Sequence, residues 1–478
     1  MTLLQQMEQE MLRRYADDAV PGLKRWVRMM KIVYTLIALA TLHVAHAASF
    51  YMATTGSDSN ACTLAAPCAT PQRLQAVMRT AGGTNTAYVR GGTYNLGTQS
   101  NCGGGSTTCL LDLTNRDNRE TWSYYGVDGI DSAVWDGGCN GSNGSTCVNV
   151  LVRVDGTSHV TINGLKLLHF NRAAISTSGG TSHFTAENNE AAHGYSTSNG
   201  PAGLLAAFGC NNCTLHNNYI HDIAGFGINN VHANGNITNF TVTENFIQDT
   251  CTGISDCGGI YVQDLTGTDT GILINKNYLR DTNTLAAVGS GSGVGIYLDD
   301  CTSNVVADNN VIAGHFGSQA YLIHGGSNVA LQSSLIDLAD KNASTAAWQT
   351  SDGCTGGFDG SDMMNTEFIS SVVIGNGGQP AGGFPVLSGT PAHSPFITGN
   401  LYYSYGATAI STSAAGGYSD SNPVTGADPL ISGWPYSFDD NSPAYDGPTG
   451  YDGNGPDGDS GPDGFSNPMT GTVPSSPH

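Results

Sequence analysis

Positive charge is what this sequence has least of. Lys and Arg number 17 against 39 Asp and Glu, and neither basic residue occurs after Lys341. A formal net charge of −22 repels nucleic acid and anionic lipid surfaces, so no nucleic-acid partner is expected. The shortage also bears on acidic polysaccharides, which need basic partners or a bridging metal. Long amphipathic helical patterns are missing, while Gly occurs 64 times in 478 residues, so the chain reads as all-β and rich in turns. The apolar run from Ile32 to Leu42 is too short to cross a bilayer.

That run has the features of an export signal. Arg25, Arg28 and Lys31 precede it and Ala45-His46-Ala47 follows as a cleavage pattern, so the mature chain is expected from about Ala48, with no stable membrane span after cleavage. The polar residues before Met29 are too many for a signal n-region. A true start at Met29 or Met30 accounts for them; a cytoplasmic extension on a retained anchor is the alternative. Residues 1–47 are therefore read as extension and signal, and a secreted or periplasmic location follows. Twelve cysteines agree with an oxidising compartment. They fall mostly as near neighbours, Cys62/Cys68, Cys102/Cys109, Cys139/Cys147, Cys210/Cys213 and Cys251/Cys257, leaving Cys301 and Cys354. Cys210-Asn-Asn-Cys213 has half of a zinc pattern but no second half, which favours a disulfide or free thiols.

The organising stretch runs from about Asn188 to Asn328. FTAENNEAAH, TLHNNYIHD, VTENFIQD, INKNYLRD and VADNNVIAG superimpose and set Asn189, Asn218, Asn245, Asn277 and Asn310 in one column. A second segment recurs after each loop: GINNVH, GIYVQD, GIYLDD and AYLIHG. Its equivalent points Gly227, Gly259, Gly295 and Ala320 are 32, 36 and 25 residues apart, the period of a solenoid. The apolar runs are too short for helices and rich in Val, Ile, Tyr and Phe. Each unit is read as one coil of a single right-handed parallel β-helix over residues 48–446, with the Asn column at a tight turn. Thr70 and Pro71 start a short helix, with Leu74, Val77 and Met78 on its apolar face, that caps the N-terminal end. The segment Asp337 to Gly383 breaks the rhythm and is expected as a loop or widened coil. Residues 447–478 are Gly/Asp/Pro-rich and read as a flexible tail.

Stacked coils bring equivalent positions together. The second segment in register gives one column of Val231, Gln263, Asp299 and His324 and another of His232, Asp264, Asp300 and Gly325. Neighbouring carboxylates cannot both ionise easily, which separates a general acid from a base, as glycoside hydrolysis requires. Strand alternation would turn Asp299 inward if Asp300 faces out, unless the strand end is irregular. The alternative is turn chemistry or calcium. Tyr261 and Tyr297 alternate with these acids and either fill core or stack on sugar, and Trp348 lies nearby in the insert. A further column of His193, Asp222, Asp249 and Asp281, beside His221, Gln248 and Arg280, is expected as structure or as a calcium site through Asp222, Asp249 and Asp281.

The opening FYMATTGSDSN, the capping helix and the repeats resemble secreted pectate-lyase-like β-helix proteins. Asp264 on one coil, LDDC on the next and IHGGS on the third resemble the polygalacturonases among them. That resemblance implies Asp299 or Asp300 as general acid, Asp264 with the other holding water, and His324 tuning the acid. It lacks the Arg-x-Lys pair that binds a substrate carboxylate, which points to a neutral or differently substituted glycan. Lys341, His232, Gln263 and Tyr297 are the substrate-binding candidates. The leading expectation is a monomeric hydrolase of extracellular polysaccharide, needing no cofactor. A calcium-dependent lyase and a non-catalytic glycan-binding β-helix are the alternatives.

Overall fold

The computed structural model describes residues 47–95, 99–102, 107–128, 132–139, 147–178, 180–195, 202–232, 237–282, 293–314, 317, 319–338, 346–351, 365–375, 395–405, 410, 419–432 and 437–438. The chain divides after Ala47, and the structure described belongs to the unit that begins at Ala48. The expected signal, Lys341, Cys354 and the tail 447–478 lie outside the described residues.

Short strands of alternating burial stack into three long sheets, of twelve, twelve and ten described strands. Within each sheet every strand lies beside its counterpart from the next coil, almost entirely in parallel. A coil visits the first sheet, turns sharply into the second, and crosses by a loop into the third. Ser158–Asn163, Leu165–Phe170 and Ala173–Ser178 make one such coil. The result is a right-handed parallel β-helix, as the repeat pattern predicts. Its interior is a continuous apolar column, with Ile260, Val262, Ile296, Leu298, Tyr321 and Ile323 all shielded from water. No coil buries that face alone, so stability is shared between neighbours.

Of the loop and the widened coil expected for the segment from Asp337 to Gly383, the described residues form the coil. Ala346–Ser351, Thr366–Ile369 and Val372–Gly375 continue the third, first and second sheets in turn. Trp348 points into the core against Phe368, with ring centroids 5.5 Å apart, and is not a cleft residue. The cap does form. Helix α1, Pro71–Ala81, starts with the Thr70 hydroxyl accepting from the Arg73 amide and Pro at its first position, and buries Leu74 and Met78. Val77 is half-buried against the same core. All five near-neighbour cysteine pairs are disulfides, Cys210–Cys213 among them, and Cys301 is disulfide-bonded too.

The Asn column lies at the corner between the first and second sheets. Asn189, Asn218, Asn245, Asn277 and Asn310 are buried, and each of the first four donates its amide N–H to the next one's side-chain oxygen at 2.9–3.1 Å. The same oxygens accept the backbone N–H of the preceding column member at 3.0 Å. The left-handed backbone belongs to the residue before each: Asn188, Asn217, Glu244, Lys276 and Asn309. Gly164, with φ +71°, therefore aligns with Asn188 and not with the ladder. The ladder residues are selected for bonding, since a buried amide must satisfy both its ends.

Candidate functional site

Five strands of the third sheet carry the site: β1 (Ala202–Phe208), β2 (Phe226–His232), β3 (Cys257–Asp264), β4 (Gly293–Asp299) and β5 (Gln319–His324). Their register pairs Val231 with Gln263 and Gln263 with Asp299, and Leu298 with Ile323 one step before His324. Alternation then decides which side chains leave the core. Ile260, Val262, Ile296 and Leu298 point in, so Tyr261, Gln263, Tyr297 and Asp299 point out.

Asp299 is the centre of the cluster. One carboxylate oxygen accepts from His324 Nδ1 at 2.7 Å and from the Asp300 amide at 2.9 Å. The Tyr261 hydroxyl donates to the other at 2.5 Å, and the Tyr297 hydroxyl also bonds the carboxylate. Three donors therefore hold the carboxylate, and Tyr297 has a single proton to share between Asp299 and Asp256. Burial alone would raise its pKa, but His324, Tyr261 and the Asp300 amide outweigh burial and hold it below the usual carboxylate range. The bond to Asp299 raises His324 against the opposing effect of burial. Burial and the Asp299 charge push both tyrosines far up, so they stay protonated donors.

Asp300 reaches the same face by a different route. It adopts φ +42° and Cys301 φ +72°, so the chain leaves the strand at this point. Left-handed backbone is tolerated by Asp better than by most residues. The swing brings the Asp300 carboxylate to Gln263 Nε2, 2.5 Å away. Both members of the Asp pair therefore leave the core, through the strand-end irregularity that the sequence left open.

The same geometry corrects the placement of Asp264. It is paired with His232 in register and continues the inward alternation of β3, so its carboxyl is fully buried. There it accepts from the Thr266 amide and hydroxyl and from the Thr268 amide. It holds no water at the outer face. His232 sits two strands from Asp299, with its ring over Gly209, where an added Cβ would lie 1.9 Å from a ring carbon. It is not brought to the cluster, whereas Gln263 and Tyr297 are.

One participant lay outside the repeat. The loop from Cys251 to Cys257, closed by its disulfide, is anchored on the preceding coil through the Cys251 and Gly253 amides, which donate to Gly225 and Ala224 at 2.8 Å. Cys251, Ile254 and Cys257 cover Tyr261 and Tyr297, which explains why outward tyrosines are only 6–7% exposed. The loop carries Asp256, an exposed residue at φ +58°. Partial burial of its carboxyl and the charge of Asp299 push its pKa up, against a hydrogen bond from Tyr297 and the charge of His324. The sequence signal was there: a cysteine pair bracketing an acid immediately before a strand of the site.

Asp299, Asp300 and His324 have ligand atoms within 4.8 Å of one another, the one such grouping among the described residues. Its fit to calcium is poor, since calcium takes six to eight oxygens and Asp299 already accepts from His324, Tyr261 and the Asp300 amide. Asp222, Asp249 and Asp281 do not converge in this way. They occupy left-handed positions, at φ +55°, +50° and +53°, at the end of the second sheet. His221 holds Asp222 at 2.7 Å and Arg280 holds Asp281 at 2.9 Å. Burial and the neighbouring Asp281 and Asp222 charges raise Asp249. The regularity of this column is that of a turn.

No curated protein matches the sequence. Among solved structures, the chain is similar to the A-module of the mannuronan C-5 epimerase AlgE6 from Azotobacter vinelandii, at 16% identity, 75% of this chain, 95% of that chain and a TM-score of 0.44. For an alginate lyase from Paenibacillus sp. str. FPU-7 the values are 13%, 75%, 98% and 0.42. For a GH136 lacto-N-biosidase from Eubacterium ramulus they are 10%, 88%, 74% and 0.40. Likeness of this degree decides neither reaction nor substrate. Residues 150–336 match a family described as the right handed beta helix region, and that stretch contains every residue of the cluster.

Proposed function

We propose that the protein is carbohydrate-active and hydrolyses glycosidic bonds of an extracellular polysaccharide at the Asp256–Asp299–Asp300–His324 cluster. One observation carries the reading. Two carboxyls beside one imidazole are pushed in opposite directions, Asp299 down and Asp256 up. Such a split separates acid from base in one site. Asp256 is exposed and retains its proton longer, so it is assigned as donor to the leaving oxygen. Asp300, steadied by Gln263, is assigned as the carboxylate that activates water or attacks the sugar. Asp299 touches no substrate in this scheme; it holds His324 in one orientation, with Nδ1–H towards the carboxylate. His324 balances the charge of Asp300 and polarises the bond being broken.

Calcium is not required by this set. No Lys or Arg stands among the cluster residues, so a neutral glycan suits it better than a uronate. A panel of plant, algal and bacterial polysaccharides tests the reading. New reducing ends without ultraviolet absorbance are expected. An unsaturated, ultraviolet-absorbing product abolished by chelator makes the protein a lyase. Glycan retained on a column without cleavage makes it a binding protein.

A further inference from the structure

We infer that the buried carboxyls of Asp264 and Asp269 form a proton-sharing latch that positions the catalytic turn 299–303. The inference rests on the proposed site for its meaning, though not for its test. Asp264 and Asp269 are both fully buried, and they hydrogen-bond each other. Neither touches the outer cluster, so neither is a catalytic residue.

The pair ties three successive coils. From the coil before, the Ile237 amide donates to one oxygen of Asp269 at 2.9 Å. From the coil after, the Ser303 amide donates to the other at 3.3 Å, and Asn304 Nδ2 donates to the Asp269 carbonyl at 2.6 Å. Within its own coil, Asp264 gathers Thr266 and Thr268. The Asp264 amide donates to the Thr302 hydroxyl at 3.2 Å, which in turn donates to the Asp299 carbonyl at 2.7 Å. The segment held from beneath is the one whose left-handed residues, Asp300 and Cys301, turn the acid outward.

Two ionised carboxylates have no room beside each other in a sealed space. Burial, with the charge of Asp264 adding to it, raises Asp269 to about 8, against hydrogen bonds from the Ile237 and Ser303 amides. Near neutrality Asp269 keeps its proton and donates it to Asp264. Asp264 is the ionisable side chain that bears on Asp269; the other groups facing the pair are Thr266, Thr268, Thr302 and backbone amides. Above that pH the two charges repel, one carboxyl swings away, and the Ser303 amide loses its acceptor. The turn then loosens and Asp300 leaves Gln263. The alkaline limit of the site is thereby set from inside the solenoid.

Hydrogen exchange of the 299–304 segment tests this on the intact protein without any substrate. Rates are normalised to the unfolded chain at each pH. In the wild type, exchange is expected to rise about tenfold between pH 7 and pH 9, with a midpoint near 8. In Asp269→Asn the Nδ2 that donates to Asp264 replaces an oxygen that accepts a backbone amide, so the turn is held less tightly, but no second charge can form and exchange is expected to stay flat with pH. Asp264→Asn places the permanent donor on the other partner, should the first variant fail to fold, and is expected to be flat too. A flat wild type, or a rise of equal size in a folded variant, overturns the latch whether or not any glycan is cleaved. On a glycan that is cleaved, the variant's alkaline activity limb is expected to move up by at least one pH unit.

Discussion

The corner between the first and second sheets and the outer end of the third sheet are both columns of short polar side chains at turns. In the first, one residue type repeats and each Asn makes the same bonds to the next. In the second, Gln263, Asp299 and His324 differ in type, and the acids around them differ in state. Repetition of identical bonds stabilises a solenoid by a similar amount per coil. A column of unlike groups does not serve that purpose, because each coil then needs its own solution. Equal spacing in sequence therefore marks architecture, and unlike chemistry at equal spacing marks a place where the architecture is being used.

The sharpest way to break the contrast is Asp256→Asn. If the loop acid donates the proton, activity on a cleaved glycan falls by roughly 10²–10⁴-fold. The melting temperature should stay within a degree or two, since the residue is exposed. Retained activity in that variant removes the assigned acid.

Asn245→Ala attacks the other column. Its side chain bonds Leu215, Thr243, Asn277 and two groups of Asn218, all in or near the core. Stability is expected to fall by about 2–5 kcal/mol in denaturant unfolding, because buried partners are left unsatisfied. The activity of the folded fraction is expected to be unchanged. A loss of turnover without a loss of stability would erase the distinction between the two columns.

The smallest effect is a pH slope. Burial and the Asp117 charge raise Glu120 to about 8, despite a hydrogen bond from Trp122. A carboxyl raised in the folded state binds more protons than the unfolded chain does between about pH 4 and about pH 8. Stability from this group is therefore lost as pH rises through that interval. The Asp299–His324 pair has a different window. His324 is raised, so its contribution is full below about pH 6.5 and declines as pH climbs through its folded value. Asp299 is lowered, so its contribution is full above about pH 4 and is lost as pH drops through its folded value. Glu120→Gln should flatten the melting-temperature slope between pH 5 and pH 8 without moving the activity profile. Asp299→Asn should lower the melting temperature most between pH 4 and pH 6.5.

Much of the fold was legible because a solenoid writes its register into its repeat. The Asn ladder, the five local disulfides, the capping helix and the Gln263–Asp299–His324 column all follow from spacing. What failed did so where the strand period stops. Asp264 and Asp300 occupy equivalent positions in sequence, yet Asp264 continues the inward alternation while Asp300 turns left-handed and out. No count of residues separates those two outcomes. For the segment after Asp337 unequal loops left a loop and a widened coil both open, and its strands form the coil. Asp256 was missed because it stands in a disulfide-closed loop that belongs to no repeat.

That loop has a consequence for how the protein matures. The sheet delivers Asp299, Asp300 and His324 by stacking, but Asp256 arrives through a cross-link between Cys251 and Cys257. A chain whose Cys251 and Cys257 are reduced is expected to wind its coils and still leave Asp256 unseated beside Asp299 and His324. Formation of the Cys251–Cys257 bond would then be the step that completes the cluster.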